Sequence, residues 1–169
     1  AALIGYLPAG YPTLPQSGEW LDALVDGGAD AVEIGLPFSD PVLDGATVAT
    51  AQRASLASGF RTKDVFPLVE RVAARGAVPV VMSYFNPVLA YGIGAFIRDL
   101  AAAGGAGVIT PDLIVDEADE LRAAMAEHDL APIFLIAPSS TDERLAKTTA
   151  ACRGFVYAAS VMGTTGARD

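Results

Sequence analysis

Two carboxylates eleven residues apart, Glu33 and Asp44, lie in the stretch 31–45, AVEIGLPFSDPVLDG. Glu33 interrupts an apolar run, 31–36, that is short enough for a strand. In a strand, Val32 and Ile34 point one way and Glu33 points the other. Pro37 and Pro41 then bracket Ser39-Asp40, so the chain leaves the strand as a stiff, irregular loop. That loop ends at Asp44-Gly45, just before a helical pattern. A carboxylate facing a sheet or barrel interior costs several kcal/mol unless it is paired or neutralised. The usual outcome is a raised pKa. The pattern therefore reads as a general acid/base at the end of a parallel strand. The plainer alternative is a strand-end glutamate that reaches water or pairs with a basic residue. Gly35, on the same face as Glu33, is expected to leave space for a substrate.

Six strand-like runs carry these residues: 2–7, 31–36, 78–83, 107–110, 132–137 and 155–160. All are apolar with little alternation, as in parallel strands covered on both faces. Helical patterns separate them at 15–26, 47–57, 62–75, 93–103, 115–128 and 142–151. In the first, Trp20, Leu21, Leu24 and Val25 form the expected apolar stripe. His128, in a last helical turn, and Cys152, before the last strand, read as structural. The order β-α, repeated six times, fits either a doubly wound open sheet or a (β/α)8 TIM barrel. The sequence has no G-x-G-x-x-G and no P-loop pattern. In both architectures chemistry belongs at the carboxyl ends of the strands. Pro8 to Pro12, Glu33, Asp44, Ser83 to Pro87, Pro111-Asp112, Ala137 to Ser139 and Tyr157 fall there. No lysine stands at these ends, which disfavours a Schiff-base mechanism.

Composition narrows the function further. The chain has 169 residues, 52% of them hydrophobic, which suits one folded domain with a sizeable core. A net charge of −9 without a Lys/Arg cluster argues against nucleic acid. One His and one Cys are too few for a soft metal site, and the single Cys fits a reducing, cytoplasmic setting. No apolar run is long enough to span a membrane. The apolar first residues lack a basic n-region and read as a strand, not a signal peptide. There is no initiator Met, and the last residues read as a loop, so the expectation is a fragment of a longer domain.

With these residues assembled, the chain strongly resembles the tryptophan synthase α-subunit over essentially its whole length. VEIGLPFSDPVLDG is the most specific motif, supported by GYLPAGYPT, MSYFNPVLAYG, APIFLIAP and GTTGAR. The resemblance implies a (β/α)8 TIM barrel of which about six β/α units are present, without strands seven and eight. It implies retro-aldol cleavage of indole-3-glycerol phosphate to indole and glyceraldehyde 3-phosphate, with no cofactor and no metal. Glu33 and Asp44 match the family's catalytic glutamate and aspartate. Tyr6, Met82, Ile109, Leu135 and Tyr157 match positions lining the indole site. Thr165 falls on the mobile closing loop after strand six, and Gly166 matches a glycine near the substrate phosphate. Asp40 and Pro41 match the loop facing the β-subunit of an α2β2 assembly.

The sequence departs from the family pattern at Ala46, Ile114 and Thr164, where proline, proline and an aliphatic residue are common. Two other functions stay open at this stage. One is a stand-alone lyase; the other is a non-catalytic α-like protein that regulates a β-like partner. Retention of both Glu33 and Asp44 argues against the second.

Overall fold

The computed structural model describes residues 1–160. Its strands are β1 (Ile4–Pro8), β2 (Ala31–Gly35), β3 (Val78–Met82), β4 (Gly107–Ile109), β5 (Ala131–Ile133), β6 (Leu135–Ile136) and β7 (Tyr157–Ala158). The helices are α1 (Leu14–Asp26), α2 (Ala46–Ala57), α3 (Val65–Ala74), α4 (Phe85–Tyr91), α5 (Ile93–Ala102), α6 (Asp119–Glu127) and α7 (Asp142–Ala151). Short 3-10 turns, Thr62–Asp64 and Val115–Glu117, lead into α3 and α6.

The first five strands form one parallel sheet in the order β1-β2-β3-β4-β5. Within this sheet each strand pairs with the next one in sequence, so strand order never reverses. A doubly wound sheet needs such a reversal. Sequential order is that of a barrel wall, with the helices all on its outer face. Side-chain alternation agrees. Val32, Ile34, Val81 and Val108 point outward and join the main core with Leu21, Val65, Val69, Val72, Phe96 and Leu121 of the helices. The opposite, inward face holds a smaller cluster of Val80, Ile109 and Ile133, with Met82, Leu135, Phe155 and Tyr157 against it.

The sequence-based boundaries hold to within about two residues for most elements, with four instructive differences. First, 132–137 is not one strand. Phe134 interrupts it, donating its N–H to Cys152 Sγ (3.3 Å) while its carbonyl accepts from Tyr157 N–H (3.1 Å). Pairing therefore passes from the β4 neighbour to the β7 neighbour at that residue. Second, α4 occupies a segment expected to be a strand-end loop. Pro87 sits in its first turn, where no intrahelical N–H is needed. The Asp112 carboxylate, from the loop after β4, accepts from Phe85 N–H at 2.9 Å and supplies the cap. Third, Trp20 is 42% exposed and meets Tyr11 edge-on; Leu21, Leu24 and Val25 do face the core, joined by the buried Ser17 and Gly18. Fourth, the helices predicted at 62–75 and 115–128 begin as the two 3-10 turns.

Close approach of neighbouring strands makes one glycine obligatory. A Cβ on Gly107 would lie 2.4 Å from the Ala131 carbonyl oxygen, a backbone atom that cannot swing aside. Gly107→Ala is expected to destabilise the protein by about 1–3 kcal/mol through overpacking. Gly94→Ala, on α5 with open space around it, is expected to be neutral or to add up to about 1 kcal/mol. Urea denaturation of the two variants checks the contrast.

Candidate active site

The register of β1, β2 and β3 places Tyr6, Glu33 and Val80 at one level. Two residues further on, Gly35, Met82, Ile109 and Ile133 form the next. Parallel pairing puts paired side chains on the same face, so all of these project inward. Leu135 and Tyr157, themselves paired, pack against the same inward cluster. Tyr6, Glu33, Met82, Ile109, Leu135 and Tyr157 are thereby brought together. Thr165 and Gly166 lie outside the described residues.

Glu33 is 6% exposed, and no described residue pairs with its carboxyl or donates a hydrogen bond to it. Loss of solvent is the main reason its pKa rises from the ordinary 4.5 to about 7; the negative charge of Asp44 adds to the rise. The phenols of Tyr6 and Tyr157 both sense the two carboxylates. Each has a raised pKa, first through burial and then through the Glu33 and Asp44 charges. For Tyr6, a hydrogen bond from Gln52 works in the opposite direction.

The space expected above Gly35 is not free. A Cβ there would stand 2.5 Å from the Tyr6 hydroxyl and 2.8 Å from its ring. Gly35 lacks a side chain so that the Tyr6 ring can fold across β2, beside Glu33.

Asp44 arrives on the loop after β2. Its Oδ2 accepts from Gln52 Nε2 (2.9 Å) and from the Tyr84 hydroxyl (3.0 Å). Gln52 Oε1 in turn accepts from Phe38 N–H (3.1 Å), and the Tyr84 oxygen accepts from Leu43 N–H (2.9 Å). The Tyr84 ring lies 5.2 Å from that of Phe38. Burial and the nearby Asp44 push the Tyr84 phenol up to about 12, although the Leu43 bond opposes this. Ala46 opens α2 even though proline is absent there, and Gly45 is its N-cap. Gln52 escaped the sequence reading, and Tyr84 entered it only as a strand-end residue. The available signal was the buried face of α2, Ala49, Gln52 and Ser55 at three-residue spacing, polar where a core face is normally apolar.

Asp40 is exposed and accepts from the Ser39 hydroxyl at 2.6 Å. Pro41 is half-buried, and its carbonyl accepts from Asp44 N–H. The tip between the two acids, Val42, is 72% exposed. A surface cavity of about 270 Å3 lies elsewhere, lined by Gly10, Thr13, Phe60 and Asp64 among others. Asp64 is already engaged there, accepting from Arg61 N–H, so the cavity offers no acid/base pair. Among the described residues, no helix is long and apolar enough to cross a membrane.

A parallel wall of sequentially ordered strands, with two carboxyl-bearing residues at its C-terminal mouth, defines a (β/α)-barrel protein. The comparisons sharpen this. The tryptophan synthase alpha chain family model matches residues 1–169. The chain is 60% identical to the tryptophan synthase alpha chain of Mycobacteroides abscessus over its full length, covering 64% of that protein. It superposes on a chain of Mycobacterium tuberculosis tryptophan synthase with TM-score 0.96 at 59% identity, covering all of this chain and 66% of that one. A chain of the tryptophan synthase complex from Pyrococcus furiosus gives TM-score 0.88 at 35% identity, covering 94% of this chain and 66% of that one. The chain belongs to the tryptophan synthase alpha chain family, and it spans just under two thirds of the length of the curated relatives it matches.

The raised Glu33 pKa has a consequence for stability. The folded state holds the Glu33 proton up to about pH 7, whereas the unfolded chain releases it near 4.5. Its contribution is fully present below about pH 4.5 and is lost as pH rises through 7. Wild-type stability is expected to fall by up to roughly 3 kcal/mol across that window, relative to Glu33→Gln. Paired denaturation curves at pH 4.5, 6 and 8 measure the difference.

Proposed function

We propose that this chain is the catalytic part of an α-subunit that cleaves indole-3-glycerol phosphate to indole and glyceraldehyde 3-phosphate. The observation that carries the reading is the Glu33 carboxyl. It is buried, without a basic partner among the described residues, and has a pKa near neutrality on the inward face of β2. Such a group can give and take a proton at physiological pH. The reaction breaks the bond between indole C3 and the glyceryl chain. C3 must gain a proton, and the adjacent glyceryl hydroxyl must lose one as it becomes the aldehyde. Glu33 performs the proton delivery, and its conjugate base is available for the removal. As C3 is protonated, positive charge spreads to the indole nitrogen. Asp44, held at the mouth of the barrel, faces that N–H and stabilises the charge. The indole ring itself stores the developing charge, so no cofactor is required.

Tyr6, Met82, Ile109, Leu135 and Tyr157 supply the walls of the indole site in this reading. Thr165 and Gly166 contribute loop closure and phosphate binding. The 169 residues form part of a single barrel domain. The partner is a β-subunit that takes up the released indole in an α2β2 assembly, and the setting is cytoplasmic. The exposed loop tip supports this: Asp40, Val42 and Leu43 are all open to solvent on the loop that follows β2. The solved relative from Pyrococcus furiosus is described as a tryptophan synthase complex, which points the same way.

Glu33→Gln in the full-length protein is expected to cut indole release by at least about 10²-fold while the protein stays folded. Retention of more than about a tenth of wild-type turnover, measured as indole release at saturating substrate, would sink the acid/base assignment. A second pair separates the two loop acids. Asp44→Asn is expected to cripple the intrinsic rate, whereas Asp40→Asn keeps it and weakens stimulation by the β-subunit. Equal losses in both variants, assayed with and without that subunit, would contradict the division.

A further inference from the structure

We infer that Gln52 is a positioning residue that holds the Asp44 carboxylate in its working orientation. The inference rests on the function proposed above for Asp44. Gln52 is almost completely buried in α2, yet it spends its whole amide on the site. Its Oε1 accepts from Phe38 N–H, and its Nε2 donates to Asp44 Oδ2. The amide orientation is fixed by its partners: a backbone N–H requires the oxygen, and a carboxylate requires the nitrogen. One side chain therefore ties together the start of the β2 loop and its acidic end.

The bonds made by Asp44 are one-sided. Gln52 and Tyr84 both donate to Oδ2, and no described residue donates to Oδ1. Tyr84 alone cannot set this orientation, because a single bond to one oxygen leaves the carboxylate free to turn about it. Gln52 supplies the second fixed point, on an element, α2, that is itself anchored by Ser55 Oγ donating to the Ala9 carbonyl at 2.7 Å. The requirement is geometric, and a misplacement of about 1 Å in such a group can cost about 10²-fold in rate.

The test uses full-length protein with its β-subunit and two near-isosteric variants. Gln52→Met removes every bond. Gln52→Glu removes the donor only while the new carboxyl is ionised; once protonated, it can again accept from Phe38 and donate to Asp44. At pH 8 both are expected to lose about 10²-fold in kcat, with KM within about threefold of wild type. Lowering the pH to 6 is expected to restore at least about tenfold of the loss in Gln52→Glu and nothing in Gln52→Met, a pattern that simple loosening of the fold does not produce. Independently of turnover, the Glu33 carboxyl in substrate-free Gln52→Met, followed by 13C NMR, is expected to titrate lower than in wild type as the Asp44 charge swings away. An unchanged Glu33 titration, or a kcat within threefold in Gln52→Met, overturns the positioning role. A wild type that releases no indole, while the Glu33 titration still shifts, overturns the proposed function and leaves the positioning role standing. If Gln52→Met fails to fold, the pH dependence of Gln52→Glu decides alone: no recovery at pH 6 overturns the role.

Discussion

A buried carboxyl on the inward face of a parallel strand is the constraint around which this molecule is arranged. Glu33 sits between a phenol and a valine, with no described cation in reach. Burial of that kind opposes folding when the group is charged, so the site is tolerated at the expense of stability and not because of it. The neighbouring carboxylate makes matters worse, since the Asp44 charge further disfavours ionisation of Glu33. Two acids in one mouth have different surroundings: apolar strand for Glu33, two side-chain donors for Asp44. Such a contrast is how one site holds a proton donor and a fixed negative charge together.

The architecture explains how the pair stays in register. Glu33 belongs to the stiffest part of the fold, a strand paired on both edges. Asp44 belongs to a loop, and loops need external supports. The supports are long-range. The loop's first residue, Leu36, donates its N–H to the Met82 carbonyl, and Ser83 N–H donates to the Ile109 carbonyl, extending the ladder past the strand ends. Tyr84 stands just before α4, whose first N–H is held by Asp112 from the next loop. Asp44 is thus connected, through side chains, to the ends of three successive strands and to α2.

The sequence revealed the frame and half of the site. Glu33 was legible because a lone charge in an apolar run has few explanations, and the strands because their runs are short and bounded. Sequential strand order was not, because two architectures share the same alternation of elements. What stayed hidden depends on contacts distant in sequence. The cap that makes α4 a helix comes from Asp112, 27 residues away. The split at Phe134 is satisfied by Cys152, whose thiol read as inert. Gly35 read as room for a ligand, whereas Tyr6 from the neighbouring strand fills it. Gln52 looks like any polar helix residue until α2 is laid against the mouth. The wall positions Met82, Ile109, Leu135 and Tyr157 came from resemblance to the family; periodicity alone marks them only as strand residues.

The most direct test is the protonation state of Glu33 itself. A 13C label in glutamate, assigned at position 33 by comparison with Glu33→Gln, allows its carboxyl to be titrated by NMR in the ligand-free, full-length protein. A midpoint near 7 is expected if burial and the Asp44 charge act as described. A midpoint near the ordinary glutamate value of 4.5 would mean that the carboxyl is solvated or paired, and the buried acid/base would lose its physical basis.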